Sequence, residues 1–224
     1  MDLASREFSR SGKRRSERVV LDTDESVIVY SQRSRRDGES DLAHERDTQR
    51  VEEAYLFIRY QDIQGAFHDT WVEVGNRERE DAAAIPPFQV AGILKHYSES
   101  GRIVEASLYH YHPDSPGTVG PESRVSIMDL LAAAKIYEVL GTTIRTPIDF
   151  RVVNSDGIYT FYGATFERLR AIDQIDLFRV NALGGRDLVQ LLGRYGIGCE
   201  FEPRVQSRTT RAQDTATPNA RTPR

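Results

Sequence analysis

The chain has 224 residues, 39% of them apolar and 29% charged, with a formal net charge of −4. That balance is too apolar for full disorder, and no window approaches the roughly 18 uncharged apolar residues of a membrane helix. Cys199 is the only cysteine, which excludes an intramolecular disulfide and a thiolate zinc knuckle.

Charge is unevenly spread. Residues 1–18 carry a net +3, residues 19–49 −4, residues 50–203 −7 and residues 204–224 +4. Two basic ends flank an acidic middle. The first stretch, Ser5 to Arg18, is rich in Arg and Ser and has no apolar run, so it does not read as a secretory signal. The expectation is a cytoplasmic protein with no membrane partner. The basic tails read as solubilising ends, and nucleic acid is not the expected partner.

Residues 1–49 read as a polar, largely disordered arm. Within it, Val19 to Leu21 and Ser26 to Tyr30 are short β-branched runs that fit a strand pair or a loose arm. Residues 50–203 hold the apolar density of one domain. Residues 204–224 read as a disordered basic tail.

The domain opens on Val51, Ala54, Tyr55 and Ile58, whose spacing predicts a helix to about Ala66. Tyr55 to Ile58 also suits a strand. Thr70 to Val74 predicts a strand. Pro86 and Pro87 open a helix with Phe88, Val90, Ala91, Leu94 and Tyr97 on its apolar face. Ile103 to His112 is a long strand stopped by Pro113, and Asp114 to Val125 is a loop. Ser126 then caps a helix to Leu140, with Gly141 as its stop. Ile148–Val153 and Ile158–Tyr162 flank Asn154-Ser155-Asp156-Gly157 as a hairpin. Two short helices follow, around 166–175 and 187–195. The mixture predicts an α+β (mixed α/β) fold, a central sheet flanked by helices.

Two of the five histidines form His110-Tyr111-His112-Pro113. Strand side chains alternate, so both rings leave one face and can meet one ion. A catalytic zinc usually takes three protein ligands and keeps one position for water. Asp129, in the first turn of the following helix, is an oxygen ligand that the intervening loop can bring to the strand end. By itself, Ser126-Ile127-Met128-Asp129 is also a helix-capping pattern.

The ordered set His110-Tyr111-His112-Pro113, then Ser126-Ile127-Met128-Asp129, resembles the signature of the JAB1/MPN/Mov34 metalloproteases, the JAMM family. The order of strands and helices over about residues 50–163 is similar too. The resemblance implies a JAMM/MPN-like sheet flanked by helices, and a Zn2+ ion held by His110, His112 and Asp129. It implies hydrolysis of a peptide or isopeptide bond, in a protein or peptide substrate that includes ubiquitin-like ones. Ser126 would donate to the developing oxyanion, and a glutamate on an earlier strand would be the general base. Glu73, in Trp71-Val72-Glu73-Val74-Gly75, is the best match to that glutamate, with Glu53 and Glu105 as alternatives. The family also contains non-catalytic scaffolds. The step from His112 to Asp129, seventeen residues, is longer than the family's usual one. A loop absorbs such an insertion for about 0.6 kcal/mol per doubling of its length.

Overall fold

The structure is a computed structural model. It describes residues 16–20, 26–31, 34–39, 53–74, 85–112, 124–141, 148–154 and 156–203. Much of the arm expected to be largely disordered (1–49), the tail 204–224 and most of the loop expected at 114–125 lie outside the described residues.

Among the described residues, eight strands form one mixed sheet. In chain order they are β1 (Ser16–Val20), β2 (Ser26–Ser31), β3 (Glu53–Asp62), β4 (Phe67–Val74), β5 (Gly101–Tyr111), β6 (Ile148–Val153), β7 (Gly157–Tyr162) and β8 (Gly198–Pro203). The spatial order is β1-β2-β4-β3-β5-β6-β7-β8. Only the β5–β6 pair is parallel; the other neighbours run antiparallel. A short helical turn, α1 (residues 35–39), follows β2. The longer helices are α2 (Pro87–Ser100) and α3 (Ile127–Gly141). After β7 come α4 (Phe166–Arg170), α5 (Gln174–Ala182) and α6 (Gly185–Arg194). The mixed α/β class is as expected. The sheet also takes in β1 and β2, so strand pairing crosses the boundary placed at residue 50.

The segment from Val51 onward is the clearest departure. Its described part, from Glu53, is a strand and not a helix. β3 lies between β4 and β5, and its first six residues are all buried. A central strand covered on both faces reads as a continuous apolar run, and such a run mimics helical spacing. α2 begins where the prolines predict, but Phe88 points to solvent and Ile93 takes its place in the core. Three short helices, not two, lead into β8.

The sheet has two unlike faces. Leu56, Ile58, Val72, Leu108, Phe150 and Val152 point to one face and pack with α2 and α3 in the main core. Tyr55, Phe57, Trp71, Tyr109, Tyr111 and Val153 form a smaller aromatic cluster on the other. α1 lies against this second face. A Cβ at Gly38 would sit 2.2 Å from Trp71 Cε2, so only glycine permits that approach. Arg35 donates to the Tyr109 hydroxyl and pairs with Glu105. Tyr109 in turn donates to Glu39 at 2.5 Å.

The β6–β7 hairpin follows its turn chemistry. The Asn154 side chain accepts from the backbone N–H groups of Asp156 and Gly157. Gly157 has φ 155°, a value L side chains rarely adopt.

Candidate metal centre

β5 carries His110 near its end, and His112 follows the last strand residue. The His112 N–H still donates to the Val153 carbonyl, which extends strand-like pairing past Tyr111. Both rings therefore leave the same side, with centroids 4.7 Å apart and planes at 73°. Register places His110 beside Ala54 and Val152, on the face covered by the helices.

α3 meets that face with its first turn. The Asp129 carboxylate divides its oxygens between two tasks. Oδ1 lies 2.7 Å from His110 Nδ1 and 3.3 Å from His112 Nε2. Oδ2 accepts from the Ser126 backbone N–H at 2.7 Å and from its hydroxyl at 2.8 Å. The capping pattern and the ligand pattern are thus one structure. The helix cap orients the carboxylate, and its other oxygen faces the histidines.

All three side chains are buried; Asp129 is 2% exposed and His112 3%. Burial opposes ionisation of the Asp129 carboxyl. The hydrogen bonds from His110 and His112 outweigh it and hold the group far below the usual carboxylate range.

The donor set suits a metal ion. The three ligand atoms lie within 4.8 Å of one another. A tetrahedral zinc with bonds of about 2.0–2.2 Å sets its ligand atoms roughly 3.4 Å apart, so shifts of about an ångström suffice. His112 Nδ1 is buried with no hydrogen-bond partner among the described residues. That nitrogen is the one turned away from Asp129; Nε2 is the ring atom that faces the carboxylate. A His-His-carboxylate group of this kind could hold a metal ion.

Ser126 is brought to the site, through Asp129. Glu73, the first choice as base, is not. It pairs in register with Tyr55, which pairs with Tyr109, so its side chain leaves the aromatic face. His110 shares the opposite face with Val74, through Ala54. Two strand spacings, about 10 Å, separate Glu73 from β5 as well. Glu105 is also excluded. It lies five residues down β5 from His110, about 16 Å away, among Arg35 and Arg59. Glu53 is the glutamate at the right end of the sheet. It is buried, but it pairs in register with Tyr111 and accepts from the Tyr55 hydroxyl at 2.6 Å, so it too leaves the aromatic face and not the face of the histidines.

Sequence reasoning missed Asn181. From the last turn of α5, its Oδ1 accepts from the Ile127 N–H at 2.9 Å. Nothing in the spacing of Asn181 relative to α3 signals this contact.

No family model, curated protein or solved structure matches the chain. No helix among the described residues is long and apolar enough to cross a membrane.

Proposed function

We propose that the chain is a zinc-dependent hydrolase of the JAMM type that cleaves a peptide or isopeptide bond. The observation that carries this reading is the convergence of His110, His112 and Asp129, from the end of β5 and the start of α3, on one buried point. A bound zinc would supply a Lewis acid and a water acidified from 15.7 toward ~7. The chain's own residues do the rest. His110, His112 and Asp129 hold the ion, and Ser126 orients Asp129.

The Ser126 hydroxyl has one proton. To donate to an oxyanion it must leave Asp129 Oδ2, which keeps the bond from the Ser126 backbone N–H. The Asp129 N–H, 3.3 Å from Ser126 Oγ, keeps that hydroxyl at the helix start meanwhile. The resemblance also implies a general base, and none of Glu53, Glu73 and Glu105 leaves the face of the histidines. The substrate class is a protein or peptide, ubiquitin-like conjugates included.

A second reading, a non-catalytic scaffold, draws on a specific observation. Asp129 already bonds both histidines directly, so the cluster can serve as a closed polar knot. The discriminating experiment is hydrolysis of a ubiquitin-like fusion and a peptide library, with and without chelator. Turnover that a chelator abolishes and zinc restores supports the hydrolase. Absent or chelator-insensitive turnover supports the scaffold.

A further inference from the structure

We infer that Asn181 is a positioning residue for the candidate metal centre. From the end of α5 it fixes the first turn of α3, and with it the direction of the Asp129 carboxylate. The inference rests on reading His110, His112 and Asp129 as ligands.

The first N–H groups of a helix have no partner within it. In α3, the Asp129 N–H is met by Ser126. The Ile127 N–H is met by Asn181 Oδ1, at 2.9 Å and 54 residues away. A second tie crosses the same joint, where the Arg124 guanidinium donates to the carbonyl of Ala182, the last residue of α5. One tie caps the start of α3 and the other the end of α5.

The local cap cannot do this alone. Ser126 and Asp129 lie on one turn, so their mutual bonds rotate with it and leave its orientation to β5 undetermined. The radius of a helix with its side chains is about 5–6 Å, so a 20° rotation of the turn moves the carboxylate by about 2 Å. That shift breaks a 2.7 Å bond to His110. The anchor must come from outside the turn, and Asn181 supplies one two residues before Asp129.

Its support is rigid. Val180 is fully buried. Asp173 caps the start of α5 by accepting from the Asp176 N–H. Asp176 accepts from Arg194 and the Tyr195 hydroxyl, which ties α5 to the end of α6.

The test compares wild type, Asn181→Ala and Asn181→Asp. Aspartate keeps an acceptor oxygen at the same reach, and alanine removes it. In metal-free protein, the histidine ring protons bonded to Asp129 should give downfield NMR signals. Asn181→Ala should shift or broaden them, and Asn181→Asp should restore them. Zinc affinity, measured by chelator competition, should weaken about 10-fold in Asn181→Ala and return in Asn181→Asp. Should Asn181→Ala not fold, Asn181→Ser, whose hydroxyl is too short to reach Ile127, takes its place.

Ring signals and zinc affinity unchanged in the alanine variant would overturn the inference. So would equal damage in both variants, which would mean only a general loss of fold. Wild type that shows the ring signals yet binds no zinc contradicts the metal reading, and the NMR comparison still decides the role of Asn181.

Discussion

Replacing Asp129 in two ways separates its task as a helix cap from its task as a ligand. Asp129→Ala removes the acceptor for the Ser126 N–H and the partner of two buried rings at once. Loss of a cap costs about 1 kcal/mol, and a buried polar group left unpaired about 1–3 kcal/mol. The rings can change tautomer, which relieves part of the second cost. The expected loss is about 2–4 kcal/mol. For a domain of this size that lowers the melting temperature by roughly 5–15 °C.

Asp129→Asn is nearly isosteric. Its amide oxygen can accept from the Ser126 N–H, and its amide N–H groups can face a neutral ring nitrogen. It should cost under about 1.5 kcal/mol, the worth of a typical hydrogen bond. A neutral amide is a poor substitute for a carboxylate ligand, so both variants should lose at least about 100-fold in zinc affinity. The assay is thermal unfolding by circular dichroism in chelator, paired with zinc titration. Equal stability of the two variants, or wild-type zinc affinity in Asp129→Asn, would refute the division of labour between Oδ1 and Oδ2.

Three further outcomes follow from the geometry. Glu73→Gln should leave zinc affinity within about 2-fold of wild type, because its side chain lies on the other sheet face; a large loss by titration would contradict the register. Gly38→Val should drive α1 off the aromatic face, since its Cβ would meet the indole of the single tryptophan at 2.2 Å. A red shift of Trp71 emission and a loss of about 1–3 kcal/mol are expected, and unchanged emission would place α1 elsewhere. The third concerns acid. Asp129 ionises more easily folded than unfolded, so its contribution is complete above its ordinary value of 3.8 and is lost as pH falls below it. In chelator, wild-type stability should fall by about 1.4 kcal/mol more per pH unit than that of Asp129→Asn in this window. Parallel curves would show that the carboxyl is not held ionised.

The histidine pair was legible because strand parity is a local rule. His110 and His112 share a face whatever their neighbours do. The Ser126–Asp129 cap was legible for the same reason. The base was not, because the side from which Glu73 leaves depends on how β4 registers on β3, and β3 on β5. Long-range pairing sets that register, and the motif around Glu73 does not carry it. β3 misled in another way, since burial on both faces removes the alternation that marks a strand. The role of Asn181 arises only once α5 is packed beside α3. Part of the fold was plain from punctuation alone, such as the proline start of α2 and the Asn154–Gly157 turn.

The central claim is that His110, His112 and Asp129 form one metal site. Equilibrium zinc binding to the full chain, by competition with a chromophoric chelator, tests it most directly. The account predicts one zinc per chain, and its loss in His110→Ala, His112→Ala and Asp129→Asn while each variant stays folded. Wild type that binds no zinc, or binds it equally well after all three replacements, would contradict it.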